Sequence, residues 1–559
     1  MFSASDTLKV LLSSLVARSE RDQPERHTKE SSLLRLGPGR SRSLPTLESL
    51  NHDVLRLIAG ELYRMPGALK PLASCSRTLR SIASPILFSR CRRPLQRLYP
   101  PESIRSFARY LTYTGTRVGA AFKYFEQLLD CFPLLTAIAF ELLDGPSWSI
   151  LRICLSKPRI TSLSFDRDAE LTFADGFPIE ELSKTSISLS SFSYKIQLWR
   201  SLRIQLDRHN NDQDLRMMVA HESHCLSDLV LTMNKTLTRL SLPMESAPIL
   251  KMARVPWPKL RELTVDGVYW TPEQIHSLPV LLCALPRLEK LSVCISRGEA
   301  DEGGRPPILG QHTTPRTVLS GMRSLTVAYP NPDDDIFVID TSYLSHLSIC
   351  DWPRHYNTLA YQRRYSPPYC YPILSSSECL TILRRMDLPE LSSLELVYLA
   401  DHAGADDELL QYITGTFFEL SRLELHRYRA DRKEEVDYIH IARLLTPARS
   451  LRTVRLNLDF RGDHGAYCDD YDVRKAWWEV FKGTLGWEIV DVMQDCPLLD
   501  CVELLYHSKP TATWVEFHPA RCGTPRFVLT YDKDHREPDL MPYSWGNFFG
   551  RGPWSGLLE

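Results

Sequence analysis

One short phrase, a hydrophobic residue, two variable positions and then an alternating apolar pair, returns about ten times after residue 105. Clear copies begin at Leu260, Leu288, Leu391, Leu420 and Leu451, as in Leu260-Arg261-Glu262-Leu263-Thr264-Val265. Others begin at Leu135, Ile160, Leu237 and Leu344, and a weaker last one at Leu499. Leu260 to Leu288 is 28 residues, Leu391 to Leu420 is 29 and Leu420 to Leu451 is 31. Alternation sends the apolar pair to one face of a short strand and the residues between them to the other. A proline often sits just upstream (Pro133, Pro158, Pro258, Pro286, Pro389, Pro497), where it can end a preceding helix. Residues 120–131, 271–284 and 436–445 carry helical patterns between copies. A single copy arises by chance in any leucine-bearing chain. Copies at the spacing of one strand–helix unit predict an α/β solenoid of parallel strands backed by helices.

The length supports this. At 559 residues the chain exceeds what one compact core normally fills, so it is several domains or one elongated array. A hydrophobic share of 43% and a charged share of 24% are those of a folded soluble protein. With 67 basic and 68 acidic residues the net charge is −1, which argues against general nucleic-acid binding. The 14 cysteines are scattered without a C-x-x-C pair and suit a reducing cytoplasm or nucleus. No apolar run approaches the roughly 20 residues that cross a bilayer. Residues 8–17 read as a short amphipathic helix, with Leu8, Leu11, Leu12 and Leu15 at helical spacing.

Residues 1–43 mix charges with Ser, Pro and Gly and read as a flexible leader. Residues 44–93 form a helical module: Asp53 is placed to cap a first helix, Pro66-Gly67 to stop it, and Pro85 to start a last short segment. So few helices bury little surface, and the module is expected to lean on a partner or on the neighbouring repeats. The array is expected over 94–508, with loops at 298–315 and 351–372. Residues 509–559 hold a strand near 526–531 and an aromatic tail with Trp545, Phe548, Phe549 and Trp554, read as a cap.

No motif assembles chemistry. There is no phosphate-binding loop, and Gly145-Pro146-Ser147-Trp148-Ser149 fails the nucleophile elbow at its last residue. His221-Glu222-Ser223-His224-Cys225 has histidines three apart without a further ligand, and reads as a polar exposed turn. Asp333-Asp334-Asp335 and Asp469-Asp470-Tyr471-Asp472 lack calcium-loop spacing and read as solvated loops. Arg90-Cys91-Arg92-Arg93 reads as a solvated helix end, and Asp401 with Asp406-Asp407-Glu408 as the acidic start of a helix. No cofactor, metal or enzymatic activity is expected.

The phrase matches the L-x-x-L-x-L half of leucine-rich repeats, and most copies lack the Asn or Cys that usually comes next. Residues 50–62 (Leu50-Asn51-His52-Asp53-Val54-Leu55-Arg56-Leu57-Ile58-Ala59-Gly60-Glu61-Leu62) and 69–88 resemble the two halves of an F-box, under a tenth of the chain. Asn51 stands where that motif usually has proline, and Leu79 where it has an aromatic residue. The combination is similar to the F-box proteins with irregular leucine-rich repeats that abound in fungi. The resemblance implies a substrate-recognition adaptor of an SCF (cullin–RING) ubiquitin ligase. The F-box would dock on the Skp-type adaptor, and the repeats would bind an unidentified protein substrate. It makes Leu50, Val54, Leu55, Ile58, Leu62, Leu72, Cys75, Leu79 and Ile82 candidate interface or motif-core positions. Outward strand residues such as Arg261, Glu262, Glu289, Lys290, Arg422 and Glu424 would face the substrate. The alternative is a repeat scaffold without a link to ubiquitin.

Overall fold

The computed structural model describes residues 47–64, 69–94, 101–115, 125–142, 148–165, 187–195, 213–296, 305–310, 319–352, 354–356, 373–401, 403–431, 433–462, 470–507, 512–520 and 525–530. Residues 8–17, Pro66-Gly67 and the aromatic tail lie outside them. The described residues fall into two compact units, one containing those up to Arg93 and the other those from Thr136 onward.

In the first unit, α1 (His52–Arg64), α2 (Leu69–Cys75) and α3 (Arg77–Leu87) pack on one another. Asn51, not Asp53, caps α1: its side chain accepts from Asp53 N at 3.0 Å. Ser76 caps α3 by accepting from Leu79 N at 3.2 Å. Pro85 does not start a new segment; α3 runs through it to Leu87. The core consists of Leu55, Ala59, Leu62, Leu69, Leu72, Ala73, Leu79, Ile82 and Ala83, with Leu47, Ile58, Ile86 and Leu87 packed against it. The arginine-rich stretch is strand β1 (Arg90–Pro94) with Cys91 buried, not a helix end, and β2 spans Tyr110–Gly115.

In the second unit each repeated phrase becomes a strand: β3 (Ala137–Leu142), β4 (Ser162–Phe165), β6 (Arg239–Pro243), β7 (Glu262–Val268), β8 (Lys290–Ser296), β10 (His346–Cys350), β12 (Ser393–Ala400), β13 (Arg422–Arg429), β14 (Thr453–Asn457) and β15 (Cys501–His507). Two further strands, β5 (Ser191–Tyr194) and β9 (Ser324–Ala328), fill the gaps between copies, and β11 (Leu374–Ser375) pairs with the end of β12. From β3 to β15 neighbouring strands pair in parallel. Then β16 (Ala512–His518) and β17 (Phe527–Thr530) add an antiparallel end. The sheet is open and mostly parallel in a mixed α/β unit, an arrangement compatible with a solenoid-like fold.

Register makes the core continuous. Ile138 lies beside Leu163, Leu163 beside Phe192, and the row continues through Leu240, Leu263, Leu325 and Leu423 to Val502. Each of these is 2% exposed or less. Burying one such side chain contributes about 1.5–3 kcal/mol, so stacking of neighbours dominates stability. Helices Pro272–Cys283, Ser376–Arg385, Ala403–Thr416 and Tyr438–Leu445 cross between strands, and the last three touch in series. Ser375 and Glu378 form a reciprocal cap on one of them: Glu378 N donates to Ser375 Oγ and Ser375 N to Glu378 Oε2.

Several polar stretches read as solvated are structural instead. Asp334 is 1% exposed and accepts from the backbone N–H groups of Ile308, Leu309 and Ile336 at 2.5, 3.1 and 2.8 Å, fastening the 305–310 segment. His221 to Cys225 lie in a helix, Gln213–Thr232, rather than a turn. There Glu222 is buried and accepts from Tyr194 Oη and Ser246 Oγ, while both histidines face solvent. Asp406 does open a helix, but it is buried against Arg427 Nε at 2.6 Å and Tyr398 Oη at 2.8 Å.

Candidate functional site

The strand positions between the buried leucines form a second row on the opposite face. Across β4 to β10 it is made of hydroxyls: Ser164, Ser193, Ser241, Thr264, Ser292, Thr326 and Ser348 lie side by side in register. Beyond β10 the same row becomes charged, running Glu395, Glu424, Arg455, Glu503 and Glu516. The hydroxyl half is partly exposed from Ser164 to Thr326. The charged half is buried, each residue 9% exposed or less.

Ion pairs join the charged half. Arg455 Nη1 lies 2.5 Å from Glu424 Oε2, and its Nε 3.1 Å from Glu503 Oε2. Its guanidinium stacks over Trp514, 4.0 Å from the ring centre. The segment after β10 reaches into the same region. Arg354 Nη2 is 2.5 Å from Glu395 Oε1 and its Nη1 3.1 Å from Asp351 Oδ1, while Ser348 Oγ donates to Glu395 Oε2 at 2.7 Å. Tyr356 stacks on the fully buried His426, whose Nε2 is 3.0 Å from Glu424 Oε1. Burial alone would raise the Glu424 carboxyl, but Arg455 and the His426 hydrogen bond outweigh it and hold it well below the usual range. Burial would likewise lower Arg354, yet Glu395 and Asp351 keep it firmly protonated.

On the hydroxyl half, Asp266 of β7 lies on this face two residues beyond Thr264. Its Oδ1 is buried and accepts no hydrogen bond from the described residues. Burial pushes its carboxyl up to about 6, with Lys195 opposing. A folded value above the unfolded one favours the protonated form. That stability is fully present below the unfolded value and is lost as pH rises through about 6. Asp266→Asn is therefore expected to raise stability by about 1–2 kcal/mol at pH 8, a gain that shrinks as pH falls below 6, read from urea midpoints.

No protein-family model matches the chain, and no curated protein matches it either.

The nine positions singled out by the F-box resemblance divide cleanly. Leu55, Leu62, Leu72, Leu79 and Ile82 are buried in the three-helix core, and Ile58 is partly buried against it. Leu50 and Val54 are exposed, at 40% and 42%, and so is Cys75. Leu57, at 72%, joins Val54 on the outside of α1, and Leu50 lies two residues before that helix begins. The spacing of Val54 and Leu57 hinted at this outer pair, because positions three apart on a helix share a face.

The outward residues of the repeats are paired with one another. Arg261 pairs with Glu289, and Glu262 sits between Lys290 at 3.3 Å and Arg239 at 3.4 Å. Arg422 is half exposed, whereas Glu424 is buried and is no part of an open surface. Among the described residues no helix is long and apolar enough to cross a membrane.

Proposed function

We propose that the chain is a substrate-recognition adaptor of an SCF (cullin–RING) ubiquitin ligase. On this reading the three-helix module is an F-box that docks on the Skp-type adaptor. The open parallel sheet is a leucine-rich-repeat-like solenoid that holds the substrate protein. Bond-making chemistry belongs to the ligase partners, and this chain positions the substrate for them.

The observation that carries the reading is an apolar stripe left outside a filled core. Leu50, Val54 and Leu57 expose 40%, 42% and 72% of their surface, although Leu55, Ala59 and Leu62 have already satisfied the packing of α1. An apolar helix face of this kind fits a hydrophobic groove on another protein. The exposed pairs on the hydroxyl half of the sheet mix signs and select no charge class of substrate.

A tag pulldown of the full-length chain from its own cell lysate tests the reading. Recovery of the Skp-type adaptor and cullin is expected, with at least about a 30-fold loss in Val54→Asp/Leu57→Asp, as for a central hot spot. Circular dichroism should be unchanged, since both residues lie outside the core. If neither partner is recovered where a known F-box protein retrieves both, the chain is a repeat scaffold without a ubiquitin link.

A further inference from the structure

We propose that Glu395, Glu424 and His426 form a binding site for one divalent first-row transition ion of the zinc class. Alternation along β13 places Glu424 and His426 on one face, and parallel register sets Glu395 of β12 beside Glu424. One oxygen from each carboxylate and one imidazole nitrogen lie within 4.8 Å of one another. The three residues are 9%, 5% and 0% exposed. Two ligands held at about 2.0–2.2 Å from one ion are themselves roughly 3 Å or more apart. In a tetrahedral site that separation is about 3.4 Å, so the 3.0 Å between Glu424 Oε1 and His426 Nε2, now a hydrogen bond, opens by a few tenths of an ångström when the ion enters.

The surroundings are those of supported ligands. Ser348 and Arg354 anchor Glu395, and Arg455 holds Glu424 by Oε2, leaving Oε1 turned to the histidine. Glu395 Oε1 makes its ion contact with Arg354 but accepts no aligned hydrogen bond from any described group. The side-chain amide of Asn457 lies 3.4 Å from His426 Nδ1. The amide oxygen accepts from Asp459 N at 3.4 Å; turning the amide over gives up that long bond and lets the oxygen accept the Nδ1 proton, which frees Nε2 for a metal. Tyr356 stacks on one face of the imidazole and Trp514 meets it edge-on, fixing its plane.

Charge points the same way. Asp351, Glu395, Glu424, Glu503 and Glu516 are buried, against the buried guanidinium groups of Arg354 and Arg455. Arg422 reaches Glu424 from the surface at 3.4 Å, and His518 meets Glu516 at 3.0 Å. Negative charge still exceeds the permanent positive charge among these groups, and unpaired buried charge is costly. A divalent ion supplies the missing charge where carboxylates and imidazole meet. The mixed nitrogen and oxygen donors, with no thiolate, suit zinc and its neighbours better than magnesium or calcium. Bound there, the ion braces β12 against β13.

The test uses the tag-free full chain, stripped with chelator and reloaded with zinc alone. One zinc per chain is expected to survive gel filtration, with millimolar magnesium unable to displace it. X-ray absorption at the zinc edge should show a nitrogen and oxygen shell with one imidazole and no sulfur. Glu424→Gln and His426→Gln, checked for folding by circular dichroism, should each weaken zinc binding by about 100-fold or more. No retained zinc, a shell containing sulfur or more than one imidazole, or unchanged affinity in either folded variant overturns the proposal. If both variants fail to fold, the shell of the zinc-loaded wild type decides.

Discussion

Arg455→Leu is expected to destabilise the protein by about 3–5 kcal/mol, the usual result of removing one partner from a buried ion pair. Arg455 is 4% exposed and bridges Glu424 and Glu503, which are 5% and 6% exposed. Leucine keeps some of the apolar contact with Trp514 but leaves two carboxylates, on the strands either side of β14, without the cation between them. The deficit should depend on pH. In the wild type, Glu424 has a lowered folded pKa, so its contribution is present above the unfolded value and is lost as pH falls toward the folded one. In the variant, Arg455 no longer opposes the burial of Glu424, whose carboxyl therefore takes up a proton at higher pH than in the wild type. The gap between the two proteins should therefore be widest near pH 7.5 and narrow toward pH 5, read from urea midpoints at both values. Arg455→Lys should fall between them, because an ammonium keeps the charge but cannot span both carboxylates as the planar fork does. A deficit under about 1 kcal/mol at pH 7.5 would mean that the carboxylates take up protons or water instead.

The row of parallel strands was legible because its signal is redundant. Each inward leucine is repeated on the neighbouring strand, and the register pairs like with like from Ile138 to Val502. The two missed strands show where the pattern stops being visible. In β5 the phrase is Leu189-Ser190-Ser191-Phe192-Ser193-Tyr194, with aromatic residues in the alternating places, and in β9 it opens with Met322. Both carry the same period of burial, so the volume of the side chain changed while its role did not. The charged row was not legible. Glu395, Glu424 and Glu503 occupy outward strand positions that in most repeats meet solvent. Their burial brings in Arg354, Tyr356 and Trp514, which come from outside the repeated phrase. The three-helix module lies between these cases. The apolar residues of α1 cover one broad face of about half its circumference, so only packing separates Leu55 and Leu62, which face inward, from Val54 and Leu57 at its edge, which do not. That distinction decides how binding is tested, since an aspartate at Leu55 would break the core before it reported on any partner.

Gly486→Ala should cost about 1–3 kcal/mol or more, although alanine is the better helix former by about 1 kcal/mol. Gly486 opens the helix Gly486–Val492, directly after the wide turn Phe481–Leu485. A Cβ on it would lie 2.1 Å from Phe517 Cζ and 2.2 Å from Cε1, well inside van der Waals contact. Phe517 is fully buried on β16 and is held by Trp487, edge-on at 5.4 Å, and by Phe481 at 6.3 Å. Its ring is enclosed, so the helix itself has to lift away from β16 and thin the packing at this end of the sheet. Gly483 is the control: it lies in the same stretch with nothing within 4 Å of its added Cβ, and Gly483→Ala should be neutral or stabilising. Gly486→Ala combined with Phe517→Leu should lose less than the sum of the two single changes, because the smaller side chain makes room for the methyl group. Urea midpoints of the four proteins and the wild type provide the measurement. Strict additivity, or equal effects at Gly483 and Gly486, would show that the close approach of the helix to β16 does not govern stability at this position.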